Sequence, residues 1–156
     1  VRIDDRFREL YEAEFAPVYR AALALSGDPG LAEDATQEAF ARALERWRRL
    51  RDVPWVAGWV TTTALNVVRR SLRRRPAPET GTTPGGPDVE GSVDLWRAVG
   101  GLPPRQQEAV LLHYVVDLPL ADVASAMGCE EGTVKAHLAK ARAKLAATLG
   151  GDRVDG

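Results

Sequence analysis

LPLADVASAMGCEEGTVKAHLAKARAKLAATL, residues Leu118 to Leu149, reads as helix, tight turn, helix, and the second helix is cationic. Leu120 to Met127 is a short helical run with small residues at Ala121, Ala124 and Ala126, and Gly128 stands where a helix exit needs positive φ. Gly128-Cys129-Glu130 is then the turn. The next helix begins near Glu131 and carries Val134, Leu138, Ala141 and Leu145 at spacings of four, three and four, which makes one packed face. At about 100° per residue, His137, Lys140 and Lys144 fall on one flank of that face and Lys135 and Arg142 on the other. All three lysines of the chain lie in this helix, and no acid occurs between Thr133 and Leu149. Such a helix fits the major groove of duplex DNA, where long donors reach phosphates and base edges. An isolated basic helix is as readily a plain solvated surface, but the Gly-centred turn after a short helix moves the reading toward a helix-turn-helix.

Just upstream lie the pieces that would support it. Val93 to Val99 is a short helix offering Leu95, Trp96 and Val99. Leu102-Pro103-Pro104 starts another with proline in the permitted first turn, and Val110, Leu111, Tyr114 and Val115 supply its apolar face. Before these, Pro76 to Ser92 holds four prolines and four glycines with almost no apolar bulk, the composition of a linker. Its roughly 17 residues reach ~55 Å extended and average nearer 23 Å as a coil.

The first half is also helical by period. Phe7, Leu10, Tyr11, Phe15, Val18 and Tyr19 predict a helix from Asp4 to Leu25, with a bend expected at Pro17, followed by the turn cluster Ser26 to Gly30. Leu31 to Leu50 reads as a second helix with Phe40, Ala43, Leu44 and Trp47 on its apolar side and Asp34, Gln37, Glu38 and Glu45 on another surface. That surface is equally read as plain solvated helix, and Glu33 and Asp34 have a sufficient structural reason as first-turn acids. After the break Arg51-Asp52-Val53-Pro54, a third helix from Trp55 to Arg74 runs through Trp59, Thr61, Thr62, Thr63 and Asn66 into Arg69, Arg70, Arg73, Arg74 and Arg75. Aromatic faces followed by guanidinium groups suit single-stranded nucleic acid, while at least one of Trp47, Trp55 and Trp59 is expected in the core.

With 156 residues, 45% hydrophobic and 28% charged, the chain is a soluble globular protein of one domain or two small ones. The N-terminal Val1-Arg2-Ile3-Asp4-Asp5 has no signal-peptide core and no apolar run spans a bilayer, so a cytoplasmic protein without membrane insertion is expected. The single Cys129 excludes an internal disulfide, and His113 and His137 lack partners at ligand spacing; no metal or cofactor is expected. A net charge of −1 hides segregation, because Asn66 to Arg75 carries five arginines and no acid while Asp28 to Glu45 carries five acids and one arginine. Nucleic-acid binding by local patches and a second, basic partner are both compatible with that balance. Phosphoryl transfer lacks a P-loop and metal hydrolysis lacks a ligand set, so the chain reads as no enzyme and takes no small-molecule substrate.

Ala32-Glu33-Asp34-Ala35-Thr36-Gln37-Glu38-Ala39-Phe40, Trp59-Val60 with Ala64-Leu65-Asn66 and the arginines, and Leu102-Pro103, Arg105-Gln106-Gln107, Asp122-Val123-Ala124 and Gly132-Thr133-Val134-Lys135 with Ala141-Arg142 occur in an order and spacing that resemble the extracytoplasmic-function group of the sigma-70 family. The resemblance covers nearly the whole chain and implies an all-α fold. It would consist of a region 2 helical bundle over residues 1–75, a flexible linker over 76–92 and a region 4 helix-turn-helix over 93–149. It implies a factor that binds bacterial core RNA polymerase, directs promoter-specific initiation and opens the minus-ten region. Glu33, Asp34, Gln37, Glu38 and Phe40 would dock on the β′ clamp helices, with the β subunit as a further contact. Arg51, Asp52, Val53, Trp55, Trp59, Thr62, Asn66, Arg69, Arg70 and Arg73 would meet the minus-ten DNA, the Arg51 to Pro54 loop capturing a flipped base. Thr133, Lys135, Ala136, His137, Ala139, Lys140 and Arg142 would read the minus-thirty-five element. Little chain follows Leu149, so control is expected from outside, through an anti-sigma factor.

This sequence departs from the family pattern at Arg70, where many relatives have an acid, at Gln107, Glu130, His137 and Lys140. Promoter sequence therefore does not transfer from relatives. Two other readings stand beside this one: a plain helix-turn-helix regulator that needs no polymerase, and an interaction protein that only sequesters polymerase or an anti-sigma factor.

Overall fold

The computed structural model describes residues 2–74 and 92–154, and among these every regular element is helical. Of the expected linker, 76–92, only Ser92 lies within the described residues; it opens a helix. Helix α1 (Asp5–Ser26) starts at Asp4, whose carboxylate accepts from the Arg6 backbone N–H at 2.8 Å, and continues through Pro17. It ends at Gly27 with φ of 66°, a left-handed exit that costs glycine little.

Helix α2 (Pro29–Glu45) begins earlier than the expected Leu31, because Pro29 takes the first helical position and the Asp28 carboxylate accepts from the N–H groups of Gly30 and Leu31. Glu33 and Asp34 thus sit in the second turn, and the helix-start role expected of them belongs to Asp28. The expected run to Leu50 is broken at Arg46, where α2 stops and a single turn, α3 (Trp47–Leu50), follows. Leu44 also differs: it is exposed, while Leu31, Ala32, Ala35, Thr36, Ala39 and Phe40 are buried. Helix α4 (Val56–Arg74) packs with α1 and α2 into a bundle. Its centre is aromatic: Phe40 stacks on Phe15 at 5.9 Å and meets Tyr11 and Phe7 edge-on, with Trp47 against Phe7 at 5.2 Å.

The second half comprises α5 (Ser92–Gly100), α6 (Pro104–Val110), α7 (Leu120–Met127) and α8 (Glu131–Val154). Between α6 and α7 the chain makes one π-helical turn, Leu111–Val115, closed by the Val116 N–H on the Leu111 carbonyl at 3.1 Å. The extra residue shifts the helical phase. Leu111 and Leu112 are fully buried, whereas Tyr114, expected on the apolar face, is 53% exposed. Asp117 then adopts φ of 62°, a conformation its short polar side chain tolerates.

The two halves touch. Ala21 and Ala24 of α1 and Leu65 of α4 share one core with Val99, Leu111, Leu112, Val123, Val134 and Leu138 of the second half. Helix α4 lies against α7, and a Cβ placed on Gly58 would stand 2.8 Å from the Ala126 Cβ. Only a residue without a side chain permits that approach. Among the described residues no helix is long and apolar enough to cross a membrane.

Candidate nucleic-acid and polymerase interfaces

In the helix-turn-helix, Gly128 has φ of 68° and its N–H returns to the Ser125 carbonyl at 3.2 Å, so α7 closes where the turn residue was expected. Cys129 is half-buried against the core, a small turn residue. Helix α8 turns Val134, Leu138 and Ala141 fully inward, with Leu145 packed beside them. Burying Val134 and Leu138 contributes about 1.5–3 kcal/mol each, which holds the outer surface in place. On that surface Thr133, Lys135, Ala136, Ala139, Lys140 and Arg142 are exposed and His137 is half-buried. The seven residues expected to read duplex DNA thus share one helix, and no acidic side chain lies among them. Arg142 Nη1 donates to the Tyr114 hydroxyl at 2.7 Å.

The expected single-strand surface is spread over the Arg51 to Trp55 turn and α4. Arg51 and Asp52 are exposed, Val53 is half-buried in the aromatic core, and Trp55 and Trp59 are half-buried. Trp47 is the member of the tryptophan trio that enters the core. Arg6 of α1 pins the turn, donating from Nη2 to the Arg51 carbonyl at 3.0 Å and from Nη1 to the Asp52 carboxylate at 3.4 Å. Nothing in the sequence announces a partner 45 residues away. The Arg46 guanidinium lies 5.9 Å from the centre of the Trp59 ring. The Thr62 hydroxyl donates back to the Trp59 carbonyl at 3.1 Å, as Thr63 does at 2.8 Å, while Asn66, Arg70 and Arg73 are exposed.

Arg69 is placed differently. It faces the second half, and its Nη2 is buried with no hydrogen-bond partner among the described residues. Burial lowers the pKa of its guanidinium, the nearby Glu108 carboxylate opposes that shift, and the positive charges of Arg105 and Arg73 add to it. Glu108 is itself buried and paired with Arg105 at 3.1 Å, while Arg105 also donates to the Met127 carbonyl at 2.6 Å. Arg105 from the same helix and Arg69 from the other half therefore both lie near one carboxylate.

On α2, Glu33, Asp34, Gln37 and Glu38 are exposed as a set at helical spacing. Glu38 pairs with Arg42 one turn on at 2.6 Å, a contact worth about 0.3–0.5 kcal/mol on a helix surface. Phe40 does not join them. It is 2% exposed in the aromatic centre, so it supports that surface from beneath.

Comparison with known proteins agrees along the chain. The family profile described as sigma-70 region 2 matches residues 10–76, and the one described as sigma-70 region 4 matches 92–145. The ECF RNA polymerase sigma factor SigC of Mycobacterium tuberculosis is 33% identical over 150 residues, covering 89% of this chain and 80% of that protein. The ECF sigma factor SigM of the same species is 30% identical over 151 residues, covering 92% and 77%. Among solved structures, the sigma factor RpoE from Bartonella quintana, in complex with the anti-sigma factor NepR, superposes with a TM-score of 0.72. It is 22% identical and covers 95% of this chain and 98% of that one, a likeness of fold.

Proposed function

The chain belongs to the sigma-70 family of RNA polymerase initiation factors, within its extracytoplasmic-function group, and from that membership we propose how its surfaces divide the work. As a factor of this family it binds bacterial core RNA polymerase and directs promoter-specific initiation. The exposed set Glu33, Asp34, Gln37 and Glu38 on α2 docks on the polymerase clamp, with Phe40 holding α2 in shape. The Arg51 to Trp55 turn and Trp59, Thr62, Asn66, Arg69, Arg70 and Arg73 engage the minus-ten strand as it opens. Thr133, Lys135, Ala136, His137, Ala139, Lys140 and Arg142 on α8 read the minus-thirty-five duplex. Residues 1–75 and 93–149 act as the two functional units, with 76–92 as the linker that lets them occupy separated promoter elements.

The observation that supports this division is the coexistence in one chain of an exposed acidic helix face and a helix-turn-helix whose second helix exposes only cationic and small or polar side chains in its reading stretch. A plain DNA-binding regulator gives the first no role beyond solvation. The factor supplies positioning and strand opening and catalyses no bond change itself; it acts in the cytoplasm. By likeness to the Bartonella quintana protein, an anti-sigma factor is its regulator.

In-vitro transcription tests the reading. Purified chain is added to sigma-free bacterial core polymerase on a pool of upstream genomic fragments, and the transcript starts are sequenced. Starts that need the chain and share two spaced upstream elements are expected. Duplex binding without initiation would instead make it a plain regulator, and polymerase binding without initiation a sequestering protein.

A further inference from the structure

Tyr114 has no role in the division above, yet it is a large aromatic side chain 53% exposed beside the reader helix. The π-helical turn puts it there, since Leu111 and Leu112 keep the core positions and the extra residue carries Tyr114 outward. Its ring is braced edge-on by His113 at 4.8 Å, and the His113 Nδ1–H donates to the Leu118 carbonyl at 2.9 Å, which ties the pair to the chain entering α7. Its hydroxyl accepts from Arg142 Nη1 at 2.7 Å.

On the reading that α8 meets duplex DNA, we propose that Tyr114 is a positioning residue for that reader: with Arg142 it forms a two-donor clamp for one DNA backbone phosphate on the flank of α8. The chemistry follows from the hydrogen-bond inventory. A phenol that accepts from a guanidinium keeps its own proton to donate, and a guanidinium that spends one N–H on a phenol keeps four others. Both remaining donors point to an anionic acceptor, and a phosphate oxygen takes charge-assisted hydrogen bonds from each. Lys135 lies on the same flank two turns nearer the start of α8, about 10 Å along the axis, so clamp and lysine would hold the strand at two points and fix the register of the bases between. A ring serving only to cover the flank would need no hydroxyl.

The test uses the full chain and a fluorescent duplex carrying a promoter found by the transcription experiment, with affinity measured between about 50 and 200 mM salt. Tyr114→Phe is expected to weaken binding about three- to tenfold, the scale of one hydrogen bond, with the thermal midpoint unchanged. Arg142→Ala should weaken it about tenfold or more and reduce the salt slope by about 0.9. In the Arg142→Ala background Tyr114→Phe should cost nothing further. Losses that simply add, or a Tyr114→Phe chain within about twofold of the parent, overturn the clamp. Lys135→Ala separates this failure from the wider one. If it weakens binding while Arg142→Ala does not, the clamp falls and the reader helix stands; if neither matters, the reader assignment falls and takes the clamp with it.

Discussion

Helices α4 and α8 both carry basic clusters that suit nucleic acid, arginines in α4 and lysines with Arg142 in α8, and they hold their charge in opposite ways. In α8 the apolar stripe Val134, Leu138 and Ala141 is buried and the cations Lys135, Lys140 and Arg142 are exposed. In α4 the last turn holds Arg73 and Arg74 in water, where they suit the helix dipole, but Arg69 is partly buried near the Glu108 carboxylate, with its Nη2 unpartnered among the described residues. A cationic helix is thus available to a ligand only where its packing leaves it so. Helix α8 presents its cations to solvent as it stands, whereas α4 exposes Arg70, Arg73 and Arg74 but keeps the Arg69 Nη2 buried.

Four measurements break or sharpen that contrast. The largest effect is expected from Leu65→Ala. Leu65 belongs to α4 but is fully buried in the core of the second half, so its loss should cost about 2–5 kcal/mol in urea unfolding and loosen both halves in one transition. A cost under about 1 kcal/mol would mean that the halves stand independently. Next is Gly58→Val, which places a side chain where the Ala126 Cβ is 2.8 Å away. About 1–3 kcal/mol of stability should be lost, the radius of gyration by small-angle scattering should increase, and affinity for single-stranded DNA should rise as Arg69 is freed. An unchanged radius would show that the join closes around the new methyls.

Smaller shifts compare the charges directly. Lys135→Ala should lower the salt slope for duplex binding by about 0.9, whereas Arg69→Ala should leave single-strand binding nearly unchanged unless Gly58→Val is also present. Equal losses from Arg69→Ala in both backgrounds would refute its sequestration. The smallest effect concerns α1, which packs on both halves. Glu14 is half-buried there, and burial raises its pKa. The native chain therefore binds that proton more tightly than the unfolded one, so its contribution is greatest below the unfolded pKa and is lost as pH rises through the native value. Glu14→Gln should raise the melting temperature at pH 7 by at most about 2 °C and leave it unchanged near pH 3; the reverse ordering would place the carboxylate in a favourable ion pair.

Much of this was legible because it is local. Gly128 marked the end of α7, and Val134, Leu138 and Ala141 marked the buried side of α8, since both signals lie within a few residues of their effect. The same local signal at Asp28-Pro29 announces the true start of α2, while the period of Phe40, Ala43, Leu44 and Trp47 hides the break at Arg46 and turns Leu44 the wrong way. A period of 3.6 phases Tyr114 onto the apolar face because it has no place for a π-turn. Phe40 falls in the segment that carries the family likeness, but three aromatic neighbours from α1 hold it inside. The Gly58–Ala126 approach, the Arg6 tether and the Arg69–Glu108 encounter join residues far apart in sequence, and no window along the chain contains both partners.

The turn Ser26-Gly27-Asp28 has a kinetic consequence. It folds α1 back on α2 within two connecting residues, so the first contacts of the bundle close only short loops and form early, while the join to the second half must wait for long-range closure. On a ribosome α2 would then be shaped, with its acids outward, before the reader helix has been synthesised. Pulsed hydrogen exchange during refolding should protect α1 and α2 ahead of α8, and simultaneous protection would show that the whole chain condenses at once.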